Sequence, residues 1–177
     1  YAKRVAAALG YIGLSNLDRV GITTFATGIQ DFMVPRRGRD HFLGLLDYCE
    51  GVMCSGETDF NRALMEYSFR GRRAGLAIVI SDLLDPKGFE RGLEALRFAR
   101  YDVLLLQILD EEDVRPTYTG LVRLRDLETN QEQRLTIDES LLVRYRERVQ
   151  QWCSQFEDFC LKNQIEYLRA STLVPFE

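Results

Sequence analysis

Apolar positions along this chain switch repeatedly between a helical and a strand-like repeat. From Ala2 to Ser15, Val5, Ala8, Leu9 and Ile12 recur at helical spacing, and the alanine content favours a helix. Val20 to Ala26 is rich in strand formers, and Asp31 to Pro35 reads as an antiparallel edge strand, where a proline is tolerated. Arg39 to Glu50 returns to helix, with Phe42, Leu45, Leu46 and Cys49 on one face. After a loop to Asp59, the segment to Arg70 is again helical, with Phe60, Ala63, Leu64 and Tyr67 inward and Asp59 as its N-cap. Leu76 to Ile80 is a continuous apolar, β-branched run bounded by Gly75 and Ser81-Asp82. Such a run predicts a parallel strand buried on both faces. A helix from Pro86 to Arg100 follows, with its proline in the first turn, and then a second buried strand from Val103 to Leu109. Leu121 to Leu127 and Gln133 to Ile137 alternate around Glu128-Thr-Asn-Gln131, which predicts a hairpin. Asp138 to Asn163 is one long helix striped by Leu142, Tyr145, Val149, Trp152, Phe156 and Phe159, and Ile165 to Leu168 is the last strand.

Strand and helix alternate throughout, which predicts an α/β fold: a mostly parallel sheet with helices on both faces. The expectation is one domain over residues 1–177, with the hairpin, about 118–137, inserted on that plan. The composition, 46% hydrophobic and 28% charged, suits a folded globular domain. A net charge of -4 argues against a general nucleic-acid binder. No run approaches the roughly 20 apolar residues of a membrane span, and a cytoplasmic setting is expected for this domain because its cysteines read as reduced thiols. The chain starts at Tyr1 rather than Met. A longer parent protein is therefore expected, and any membrane tether would lie upstream, outside this sequence.

Charged side chains sort by loop. Asp82 stands where the Leu76–Ile80 strand emerges, and Asp85 and Asp110 to Asp113 follow strand ends too. In open α/β sheets, ligands bind outside the carboxyl ends of the strands. The same alternation places Gly56-Glu-Thr58-Asp59 at that end, and Arg36, Arg37, Arg39, Arg70, Arg72 and Arg73 at the other. An oxygen-rich cluster suits a hard divalent cation, Mg²⁺ above all. The plainer alternatives are that Asp82 and Asp85 make the turn and cap the next helix, and that the arginines are a solvated rim.

Several catalytic classes lack their parts. There is no G-x-x-x-x-G-K-[ST] phosphate loop. The lone histidine, His41, lies on a helix and reads as a surface or packing residue, which disfavours Ser–His–Asp and Cys–His arrangements. Cys49, Cys54, Cys153 and Cys160 form no C-x-x-C pair and are read as reduced thiols.

A set of stretches carries a resemblance: Tyr11-Ile-Gly-Leu, Asp18-Arg-Val-Gly21, Gly56-Glu-Thr-Asp59, Ile80-Ser-Asp82, Tyr101-Asp-Val, Leu106-Gln-Ile-Leu-Asp110, Asp126-Leu-Glu-Thr and Thr172 through Pro175. Together they resemble bacterial proteins of unassigned function with a von Willebrand factor A-like domain, often encoded beside MoxR-type AAA ATPases. The resemblance implies a Rossmann-like sheet with a metal-ion-dependent adhesion site for Mg²⁺. Three loops would supply its ligands: Asp-x-Ser-x-Ser, a Thr and an Asp. Thr58 matches the second and Asp82 the third, with Asp59 and Asp85 as neighbours in the same loops. No Asp-x-Ser-x-Ser occurs here. The family's first central strand, which carries that motif, would precede Ala2, so the domain is expected to be N-terminally incomplete. Weak or absent Mg²⁺ binding by this chain follows, with fuller binding left to the complete protein. The implied role is non-catalytic docking of a MoxR-type ATPase or its client, in the assembly or maturation of other proteins. A Mg²⁺-dependent phosphohydrolase using Asp82, and a purely structural domain without metal, are the alternatives.

Overall fold

A computed structural model describes residues 1–54, 56–70, 75–125 and 132–174. The expected turn at Glu128–Gln131, together with Arg72, Arg73 and Pro175, lies outside the described residues. The chain divides into two compact units: Tyr1–Gly75 with Leu83–Tyr101, and Leu76–Asp82 with Asp102–Pro175.

In the first unit, helix α1 (Ala2–Ser15) and helix α2 (Asp40–Gly51) pack on an antiparallel hairpin of β1 (Val20–Phe25) and β2 (Ile29–Arg36). Leu14, Leu45 and Cys49 form the core cluster, with Ala6, Ala7, Val20, Ile22, Met33 and Phe42 against it. The buried face of α1 runs through Val5, Gly10 and Leu14, whereas Ile12, expected inside, is exposed. The physical reason is the approach of α2: Leu45 sits against Gly10, where a Cβ would come within 2.7 Å of it. Helix α3 (Phe60–Arg70) buries Phe60, Ala63 and Leu64, and packs on α4 (Glu90–Phe98). Phe60 also meets Phe25 of β1 edge to face. Asn61 ties α3 to α4, accepting from Gly92 N at 2.8 Å and donating to Lys87 O at 3.1 Å.

Helix α4 is shorter than the spacing predicted. Pro86 and Lys87 form a turn, because the Asp85 carboxylate accepts from Lys87 N at 2.8 Å and Gly88 N donates back to Asp85 O. An aspartate closing its own turn in this way competes with helix initiation.

In the second unit, β3 (Leu76–Ser81), β4 (Asp102–Leu109) and β7 (Glu166–Ser171) form a parallel sheet in the order β3-β4-β7. The single mostly parallel sheet expected from the alternation is thus three sheets, of which this one is parallel. Central β4 is buried almost throughout. Strand β3 is not the doubly buried strand its composition suggested, since only Val79 is buried and Leu76 is 64% exposed. Among the described residues it pairs with β4 alone, so it is an edge strand. A four-residue helix, α5 (Glu111–Val114), follows β4. Strands β5 (Gly120–Arg125) and β6 (Glu132–Ile137) pair as an antiparallel hairpin. Helix α6 (Glu139–Lys162), capped by Asp138, buries Leu142, Cys153, Phe156 and Cys160. Its two cysteines therefore belong to the buried stripe, while Tyr145 turns outward.

Helices α1, α4 and α6 end alike. The residue after each C-cap, Leu17, Arg100 or Gln164, holds a positive φ of 56 to 66°. Its N–H and the next one close the two bonds of a Schellman motif, as in Arg100 N to Arg97 O and Tyr101 N to Leu96 O. None of the three is a glycine, although an L side chain in this conformation costs about 1 kcal/mol. Arg100→Gly should therefore raise the melting temperature by roughly 2–4 °C. A drop in thermal denaturation would mean that the arginine side chain outweighs the backbone strain.

Candidate functional site

The register of the parallel sheet decides which residues share an end. Ser81 lies opposite Gln107, and Leu109 opposite Ser171. All three strands run the same way, so Asp82, Asp110 and Thr172, which follow β3, β4 and β7, emerge together at the carboxyl end. Thr172 donates to the Asp110 carboxylate at 2.6 Å, and its N–H donates to Leu109 O. Asp110 also caps α5, accepting from Glu112 N at 2.9 Å. These two bonds, the Thr172 hydroxyl foremost, hold its carboxyl below the usual range.

The loop after β3 is held from below. Gln107, fully buried in β4, donates from Nε2 to the main-chain oxygen of Asp82 at 3.2 Å. Its Oε1 accepts from the Tyr167 hydroxyl of β7. Burial pushes the Tyr167 phenol far above its ordinary value, so it remains a donor at any physiological pH. The Asp82 carbonyl can only accept, which fixes the amide: nitrogen to Asp82, oxygen to the tyrosine. The Asp82 side chain itself is exposed.

The acidic turn beyond Asp110 is anchored by α6. Tyr145 donates to Asp113 O at 2.8 Å and Arg146 to Pro116 O at 3.3 Å, while Tyr118 donates to Glu112 at 2.6 Å. Partial burial raises the Asp113 pKa, and the charges of Asp110, Asp82 and Glu112 raise it further. This end of the sheet therefore carries several carboxylates close enough to feel one another.

The other sequence candidates have different duties. Asp59 accepts from Arg62 N at 3.0 Å and caps α3, with Lys87 Nζ 3.4 Å away. Asp85 accepts from Phe60 N at 2.7 Å through one oxygen and from Lys87 N through the other. Both carboxylates are thus occupied by backbone donors at the start of α3. Thr58 lies half-buried in the loop before α3, in the first unit, and Asp82 is in the second. His41 donates from Nε2 to Val20 O at 3.0 Å, a packing bond between α2 and β1. Thr172 and Gln107 appeared in the sequence only inside the resemblance stretches. Nothing in their spacing marked them as partners of Asp110 and Asp82.

Mg²⁺ requires near-octahedral oxygen coordination. Among the described residues, no three His, Cys, Asp or Glu side chains are arranged to hold a metal ion. The Asp59 and Asp85 carboxylates are already engaged by backbone N–H groups.

Two measurements test this geometry. Calorimetric titration of Mg²⁺ into residues 1–177 should show no micromolar binding; a micromolar isotherm would refute the ligand count. The raised Asp113 pKa means that its neutral form favours folding. That stability is fully present below the unfolded value, near pH 4, and is lost as pH rises through the folded value. Asp113→Asn should therefore melt higher than the parent at pH 7, and the gap should close by about pH 4. A gap that is constant with pH would refute the assignment.

The family model described as a protein of unknown function, DUF58, matches residues 1–153. An uncharacterized protein of Mycobacterium tuberculosis is 31% identical over 144 residues, covering 79% of this chain and 45% of that protein. An uncharacterized protein of Mycobacterium avium is 43% identical over 70 residues, 40% of this chain and 41% of that protein. The chain thus spans less than half the length of these relatives. Two crystal structures share the fold at low identity. An aerotolerance-related membrane protein from Bacteroides fragilis gives a TM-score of 0.58 at 14% identity, over 97% of this chain and 80% of that one. The conserved hypothetical protein BatB from Bacteroides thetaiotaomicron gives 0.50 at 15%, over 96% and 78%. By the extent of the family match, this chain belongs to the DUF58 family, whose function is unassigned.

Proposed function

We propose that residues 1–177 form a non-catalytic protein-interaction module that engages its partner at the carboxyl end of the parallel sheet. The observation that carries this reading is the convergence of Asp82, Asp110 and Thr172 there, with the Asp82 main chain fixed by buried Gln107. A carboxylate on a fixed loop at the mouth of a sheet is preorganised for binding.

The von Willebrand factor A-like reading is kept as part of this proposal. In its favour, β3, β4 and β7 form a parallel sheet with Asp82 at its carboxyl end, where the resemblance puts the third metal loop. On this reading the partner is a MoxR-type AAA ATPase or its client. On this reading Mg²⁺ assists docking in the full-length protein, with weak or absent binding by residues 1–177 themselves.

The test is binding of a purified MoxR-type ATPase from the same genome, followed by interferometry. Asp82→Ala should weaken binding about tenfold or more with an unchanged melting temperature. Asp59→Ala should do the reverse, costing about 1 kcal/mol of stability through its lost cap while binding is retained. If Asp82→Ala binds as tightly as the parent, the docking end is wrong. If the ATPase does not bind at all, the partner class is wrong.

A further inference from the structure

The foot of the β1–β2 hairpin, in the first unit, carries a second chemistry. The hairpin register slips between Val20↔Arg36 and Ile22↔Met33, so Val34 and Pro35 together face Gly21. This is a β-bulge, which bends a strand and re-aims its side chains. Only a glycine fits opposite it, since a Cβ on Gly21 would come within 2.6 Å of Met33 O. The bulge presents the Pro35 carbonyl to Arg19, whose guanidinium donates to it through Nε at 3.3 Å and Nη2 at 3.0 Å. Arg19, Pro35, Arg36 and Arg37 then line an open concavity of about 440 Å³.

Three guanidinium groups here, with Arg39 two residues on, form no ion pair among the described residues. Asp18 and Asp40, their acidic neighbours in sequence, make none with them either. Other arginines of the chain do find carboxylates, such as Arg70 with Glu66 and Arg115 with Glu111. Positive charge is therefore concentrated here without an ion pair among the described residues, on a chain whose net charge is -4. Exposed apolar side chains neighbour it in sequence: Leu17, in the turn between α1 and β1, is 72% exposed, and Val34, in the bulge of β2, 49%.

We propose that this foot seats on the phosphate headgroups of an anionic lipid surface, with Arg19, Arg36 and Arg37 on the phosphates and Leu17 and Val34 at the acyl boundary. Clustered arginines supply the attraction to an anionic leaflet, and exposed aliphatic groups beside them favour an interface over a purely aqueous polyanion. The bidentate fork of arginine suits phosphate oxygens. The acidic balance of the rest of the chain disfavours nucleic acid. An acidic protein would satisfy the charge but would leave the aliphatic rim without a role.

The test is co-sedimentation of the 177-residue chain with phosphatidylcholine vesicles containing phosphatidylglycerol, and with phosphatidylcholine alone. Binding is expected only with phosphatidylglycerol and should fade as salt is raised. Arg36→Gln and Arg37→Gln should each weaken it roughly fivefold. Arg123→Gln, on β5 in the other unit, should not. Leu17→Asn keeps a residue that tolerates its positive φ and should also weaken binding. No binding to phosphatidylglycerol vesicles overturns the proposal, as does equal loss in Arg123→Gln, which would show diffuse charge attraction. Capture of a polyglutamate peptide without vesicle binding would also overturn it, in favour of an acidic protein partner.

Discussion

Strand β4 is buried along nearly its whole length, and its one fully buried polar side chain, Gln107, must find partners within the protein. A buried amide left unpaired would cost more than most single contacts contribute. It is satisfied on one side by Tyr167 of β7 and on the other by the main chain of Asp82, so it bonds across both strand neighbours of β4. One side chain thereby ties the Asp82 main chain to β7 across the central strand. Because the three strands are parallel, whatever follows each of them appears at the same end. The carboxylates of that end are thus a consequence of topology before they are anything else.

The first unit obeys a different constraint. Its hairpin must bend to keep Ile22 and Met33 on the core shared with α1 and α2. The bulge opposite Gly21 does this, and the same bend gathers Arg19, Arg36 and Arg37. Packing inside and charge outside are two results of one irregularity. Each unit therefore carries its own polar character, acidic after the parallel strands in one and basic at the hairpin foot in the other.

Much of this was visible in the residues. The periodicity placed α1, α2, α3 and α6 to within a residue or two at each end, and the β5–β6 hairpin was legible from its alternation. The cap at Asp59 followed from an aspartate set before an apolar periodic run. Less was legible where long-range packing overrode local pattern. Strand β3 has the composition of a central strand but, among the described residues, pairs with β4 alone and buries only Val79. Asp85 was read as a ligand or as the cap of the helix after it; its carboxylate accepts from Phe60 N, at the start of the preceding helix α3, and from Lys87 N in its own turn. Tyr145 fits the helical stripe of α6, yet it turns outward to hydrogen-bond Asp113.

The sequence by itself determined the kinds of element, their order and the identity of the charged loops, because hydrophobic periodicity and capping are local properties. The tertiary structure alone decided which loops meet. Asp110 and Thr172 are 62 residues apart, and Gln107 and Tyr167 are 60 apart. Arg19 reaches the Pro35 carbonyl only because a bulge exposes it. Such pairings depend on strand order and register, which arise from burying many side chains at once and are not encoded in any short stretch of chain.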